Sequence, residues 1–173
     1  MAKKADTAAL TFGVGQSVVY PAHGVGKITS VEKQTVAGME LEVYVVAFDQ
    51  DKMILRVPTN RAEASGMRAL AGSKLVDDAL KTLGGKARIK RTMWSRRAQE
   101  YEAKINSGDL ISIAEVVRDL HRNDDQREQS YSERQLYEAA LERLTREVAA
   151  VNGIEEVKAQ QHVDSVLGGR VAA

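Results

Sequence analysis

Between Lys86 and Arg97 the chain holds six Lys and Arg side chains, no acid and the protein's only tryptophan, Trp94. Lys86, Arg88, Lys90, Arg91, Arg96 and Arg97 have no counter-charge in this stretch, and such clusters attract phosphates. An aromatic ring among them can stack on a base or push into a base step, as minor-groove and single-strand binders do. The chemistry these residues suggest is contact with nucleic acid. In the alternative, the basic stretch is a solvated loop and Trp94 turns inward to close a domain boundary, and composition leaves both open.

No other group of residues has the spacing of a catalytic or ligand site. His23, His121 and His162 are far apart and form no H-x-x-x-H or HExxH pattern, so a metal site or a histidine base has little support. His23 follows Pro21 in a glycine-rich turn and reads as structural, while His121 beside Leu120 reads as packed or capped. Gly24-x-Gly26 lacks the helix start and the Lys-Ser/Thr of a phosphate loop. Asp49 with Asp51, and Asp124 with Asp125, lack the spaced oxygens and closing Glu of a calcium loop and read as turn residues. The absence of cysteine removes disulfides, thiolate metal sites and thiol nucleophiles, and agrees with a reducing compartment. No enzyme, metal or cofactor is expected.

A basic aromatic site needs a scaffold, and 173 residues allow two small domains. Hydrophobic content of 43% and charged content of 28% are those of a globular protein. The leader MAKKADTAAL has no sustained apolar run, and nowhere do about eighteen apolar residues follow one another, so a cytoplasmic protein without membrane association is expected. The formal net charge of +1 conceals a segregation. Residues 1–85 carry ten bases and nine acids, 86–106 seven and two, and 107–173 eight and thirteen. One local basic patch followed by an acidic tail argues against a general nucleic-acid coat and for contact that is weak by itself.

From Phe12 the chain is rich in Gly and β-branched residues, predicting short strands near Ser17–Tyr20, Gly26–Thr35, Leu41–Phe48 and Met53–Val57. Ala37-Gly38 and residues 49–52 read as the connecting turns. In the last strand Met53, Leu55 and Val57 share one face while Ile54 and Arg56 take the other, and Pro58 ends it. Several short, bent strands in about fifty residues suit a small partly open barrel or twisted sheet with an exposed edge. After Asn60 the spacing turns helical, over Ala62–Leu70, Ser73–Leu83, Arg96–Asn106 capped by Ser95, Ser112–Arg122, Ser132–Val151 and Ile154–Leu167. Trp94 then stands just before its helix, at a hydrophobic-staple position, and residues 123–131 form a loop. The fold class expected is α+β, with a β domain over 1–60, ordered from about residue 10, and an all-helical domain over 61–173.

Four separated stretches, VVYPAHGVGKI from Val18, MILRVP from Met53, Trp94-Ser95-Arg96-Arg97 and IAEVVRDLHR from Ile113, together closely resemble the CarD/CdnL family of bacterial transcription factors. The similarity covers about residues 10–165. It implies that the β domain is Tudor-like, docks by a strand edge on the β subunit lobe of RNA polymerase, and holds the helical domain over promoter DNA at the upstream edge of the bubble. Trp94 matches the family's minor-groove wedge, which stabilises the open complex, with Arg96 and Arg97 on backbone phosphates. Lys90 and Arg91 are added from charge alone. Val36, Arg56 and Pro58 fall on the strand positions through which the family contacts polymerase, and an arginine used by some relatives aligns with about Gln34. The resemblance therefore implies a non-enzymatic monomer, associated with the nucleoid through polymerase. The competing expectation is a protein-interaction adaptor whose Tudor-like domain has another partner and whose basic patch has no DNA role.

Overall fold

The computed structural model describes residues 11–48, 51–122 and 128–169. They form a five-stranded antiparallel sheet followed by five helices, an α+β protein. The strands are β1 (Ser17–Tyr20), β2 (Gly24–Val36), β3 (Met39–Phe48), β4 (Met53–Pro58) and β5 (Arg68–Ala69), in the spatial order β4-β3-β2-β1-β5. That order makes the twisted sheet open, with β4 and β5 as its two edges. β2 and β3 form a long hairpin closed at Val36↔Met39, with Ala37 at φ 52 and Gly38 at φ 77 in the turn. β4 pairs with β3 from Phe48↔Met53 to Val43↔Pro58, so the tip of the hairpin extends beyond it. The alternation read in β4 holds, since Val57 is buried and Ile54 is 61% exposed. Val18, Ile28, Tyr44, Val46, Phe48 and Val57 build the core of the sheet, which Phe12 closes by donating its backbone N–H to the Tyr44 hydroxyl.

The helices are α1 (Ser73–Leu83), α2 (Trp94–Asn106), α3 (Leu110–Leu120), α4 (Tyr131–Asn152) and α5 (Glu156–Gly168). They enclose a second core around α3, where Ile113, Val116, Val117 and Leu120 are all buried as their spacing predicts. Several local expectations are corrected. Ala62–Leu70 is not helical: residues 59–66 are turns and Arg68–Ala69 is β5, paired as Val19↔Arg68 and Val18↔Ala69. Gly66, at φ +92 with Pro21 Cγ 2.8 Å from where its Cβ would stand, requires that turn. α3 opens at Leu110 because Asp109 is a better-placed cap than Ser112, its carboxylate accepting from the Ser112 N–H. α4 likewise starts one residue into the expected loop, at Tyr131. Ser130 and Glu133 form the capping pair there, in place of a start at Ser132. In α5 the buried residues are Ala159, Val163 and Leu167, while Val157 is 66% exposed. The leader, Asp49, Asp124, Asp125 and the last four residues lie outside the described residues.

Sheet and helices meet along α4. Glu147, 2% exposed, receives both terminal nitrogens of Arg68 at 2.7 Å and the Ala71 N–H at 2.8 Å. One turn earlier on the same face, Arg143 donates to the carbonyls of Pro21 (2.6 Å), Ala22 (2.6 Å) and Ile105 (3.0 Å). Burial lowers the pKa of its guanidinium, and Glu142 opposes that shift. Glu147→Ala should destabilise the fold by about 2 kcal/mol. That is less than for a fully buried pair, because the Arg68 side chain keeps 30% of its exposure. Urea unfolding measures this, and an unchanged midpoint would show that the pair contributes no stability.

Candidate functional site

α2 begins on Met93, which offers no side-chain acceptor, and its first turn contains no acid. Its start is thus two residues earlier than the expected Arg96. Ser95 is not the cap, and Trp94 is the first helical residue in place of the preceding staple. The N-terminal end of α2 therefore presents an uncapped positive dipole beside Trp94 and Arg96.

Trp94 is half-buried, with one side packed against the helical core. Its indole N–H donates to the Ser132 hydroxyl at 3.2 Å, which joins the first turns of α2 and α4. Arg97 lies one turn along, its guanidinium carbon 5.3 Å from the Trp94 ring centre and 5.9 Å from that of Tyr101, and it donates to the Tyr101 hydroxyl at 3.5 Å. Arg97 thus stacks between two aromatic rings. Its buried Nε has no hydrogen-bond partner among the described residues. Arg96 and Arg91 are exposed and make no ion pair among the described residues. Lys90 reaches Glu100 at 3.2 Å in a pair whose Lys side chain is 70% exposed, so solvent keeps it weak. The structure brings Lys90, Arg91, Trp94, Arg96 and Arg97 to one end of α2, with Met93 beside them at 78% exposure.

The approach to this end is held by a residue whose role spacing did not reveal. Asp119, buried on α3 beside Arg118, accepts from the Arg88 N–H at 2.9 Å and from Arg118 Nε at 2.9 Å. A carboxylate among Val116, Val117 and Leu120 was the available signal, because an acid beside an apolar stripe needs a partner. Ser132 was read as a cap and serves instead as the acceptor for the indole. His23 stacks on Tyr20 with ring centres 5.7 Å apart, His121 Nδ1 is 3.0 Å from the Tyr137 hydroxyl, and His162 is exposed on α5. Among the described residues no cluster could hold a metal ion, and no helix is long and apolar enough to cross a membrane.

At one edge of the sheet, β4 exposes Arg56 opposite Val45 and ends at Pro58 opposite Val43. Its outer side pairs with no described strand. Val36, 51% exposed, is not on that strand but at the β2–β3 tip, beyond the end of β4 and next to Met39 at 66%. Edge and tip form an unprotected margin of the kind to which another strand can add.

Comparison with known proteins agrees with both halves. Residues 12–71 match the model of the CarD-like/TRCF RID domain, and residues 78–164 that of the CarD C-terminal domain. YdeB of Bacillus subtilis (strain 168), described as a candidate transcription factor, is 27% identical over 145 residues, covering 84% of this chain and 95% of that one. The solution NMR structure of the 72-residue N-terminal domain of Myxococcus xanthus CarD is 32% identical, covering 36% of this chain and 84% of that one with a TM-score of 0.31. These similarities define a transcription regulator that interacts with RNA polymerase. The chain belongs to the CarD/CdnL family.

The tie between Trp94 and Ser132 is testable by itself. Ser132→Ala removes one exposed hydrogen bond worth about 1 kcal/mol at most, so folding should persist while the single tryptophan becomes more accessible. Iodide quenching of its fluorescence should rise, and unchanged quenching would mean that core packing alone holds the ring.

Proposed function

We propose that this protein docks on the β subunit lobe of RNA polymerase through the margin formed by β4 and the β2–β3 tip, and stabilises the open promoter complex with Trp94. The observation that carries the reading is the placement of the chain's only indole at an uncapped helix start, between exposed Arg96 and stacked Arg97. An indole entering the minor groove at the upstream edge of the bubble favours the opened base step and opposes reannealing, while cationic side chains hold phosphates. No base-edge code is needed, so many promoters can respond. On the docking side, Arg56 supplies a charge, Pro58 ends the strand, and Val36 adds an apolar contact at the tip.

The charge distribution supports a tethered mode of action. A seven-to-two excess of bases over acids in residues 86–106, set before an acid-rich remainder, gives little affinity for free DNA. Tethering supplies an effective concentration of about millimolar, at which a weak wedge is occupied. Polymerase and chromosome place such a factor in the cytoplasm, on the nucleoid, as a monomer beside the enzyme. The hydrogen bond from Trp94 to Ser132 is the one observation that favours the adaptor alternative, in which the ring is part of the helical core and the basic patch is only solvated.

Two substitutions separate these readings. Trp94→Ala should leave polymerase binding intact and shorten the open-complex lifetime by about fivefold or more, the scale of one lost aromatic–base stack. A wild-type lifetime would refute the wedge. Arg56→Glu should weaken polymerase binding by about tenfold in a pull-down titration, since it places an acid where complementary charge is expected. Retention at wild-type level would remove Arg56 from the interface.

A further inference from the structure

We propose that Arg143, supported by Arg68 and Glu147, is a positioning residue for Trp94: it fixes the base of α2 to the sheet, so that docking at β4 determines where the indole falls. This rests on the docking and wedge roles proposed above. The ties converge on four residues at the C-terminal end of α2, Ile105 to Gly108, while Trp94 is at its other end. One guanidinium of Arg143 donates to Ile105 in the last turn of α2 and to Pro21 and Ala22 in the β1–β2 turn. The fork is planar and rigid, so three carbonyls from two elements can satisfy it in only a narrow range of relative orientations. Arg68, on the edge strand β5, donates from Nε at 3.1 Å and Nη2 at 2.7 Å to the carbonyl of Gly108, and Glu147 holds the same guanidinium from α4. Gly108, at φ +73, packs so closely on the same turn that an added Cβ would be 3.2 Å from Pro21 Cα.

The length of α2 makes this attachment consequential. Thirteen residues at about 1.5 Å each form a rod of about 20 Å. A tilt of about 10° at its base would move the far end by about 3.5 Å, close to the rise of one base step. A wedge aimed at a single step needs tighter control than that. Ridge packing of α2 on α3 and α4 restrains the helix within the helical body, while the hydrogen bonds of Arg143 and Arg68 and the packing of Gly108 on Pro21 tie its base to the sheet that docks.

The chain contains no cysteine, so Lys33→Cys on β2 and Gln99→Cys on α2, both exposed, accept a single pair of spin labels. Pulsed EPR should give a narrow distance distribution for the parent. It should broaden in Arg143→Ala and also in Arg143→Lys, which keeps the charge but loses the fork and remains usable if the alanine variant fails to fold. With polymerase and promoter, Arg143→Lys should shorten the open-complex lifetime about fivefold at unchanged polymerase affinity, and should have no further effect in a Trp94→Ala background. An unchanged distance distribution overturns the proposal, as does a broadened one with a wild-type lifetime. A lifetime loss that persists without Trp94 overturns it too, because Arg143 would then act by another route. If Trp94→Ala itself leaves the lifetime unaltered, the wedge fails and the aim of the clamp with it, while the distances still decide whether Arg143 holds the two parts together.

Discussion

The carboxylate of Glu147 sets the constraint on which the arrangement of the molecule depends. A charge 2% exposed must be met by hydrogen bonds and an opposite charge or it unfolds its surroundings. Glu147 finds three donors, two on Arg68 and the Ala71 N–H, and all belong to β5 and the residues that lead from it to α1. Satisfying one side chain therefore draws β5 and the approach to α1 against α4. An apolar residue of similar size could give as much stability at that position, but it would not select one orientation of the seam. The geometry specified is what a buried ionic contact adds.

The same demand explains where the positive charge is found. Arg68, Arg118, Arg122 and Arg143 are held inside or along seams by Glu147, Asp119, Glu133 and backbone carbonyls. Arg88, Lys90, Arg91 and Arg96 remain exposed, in one segment and at one helix end. A net charge of +1 therefore understates the local field, because most of the acids lie elsewhere and several are occupied internally.

Periodicity disclosed the elements well where burial is one-sided. β4 alternates, α3 has a continuous stripe, and both appear within two residues of the expected bounds. It failed where tertiary partners outweighed local spacing. The helical pattern of Ala62–Leu70 yields because Met67 is drawn into the core of the sheet and Arg68 to Glu147, while Gly66 turns the chain over Pro21. Two of the three capping differences have one cause, an Asp or Ser two or three residues upstream that displaces Ser112 and Ser132 as the cap; in the third, nothing polar caps α2 at all. Of the candidate site, the cluster around Trp94 was visible as composition. Its internal contacts were not: Arg97 meets the ring because α2 starts at Trp94 and sets the two residues one turn apart, and Ser132 meets the indole N–H across thirty-eight residues of chain. Glu147 did leave a trace, as an acid on the apolar face formed by Ala140, Leu144 and Val148.

The half-buried state of Trp94 is compatible with a role at the fork when magnitudes are compared. Leaving its resting position breaks one hydrogen bond, at a net cost of about 1 kcal/mol, loosens a half-buried stack with Arg97 worth about 1 kcal/mol, and withdraws the side of the ring packed on the helical core. A base stacked on an aromatic ring contributes about 1–3 kcal/mol, so the exchange is close to balanced and the indole would seldom leave its place for DNA free in solution. With the factor held on polymerase, local concentration adds to the favourable side without any new contact. A ring retained this lightly can respond to the assembled complex and stay sheltered from chance nucleic acid, which a fully exposed indole would not.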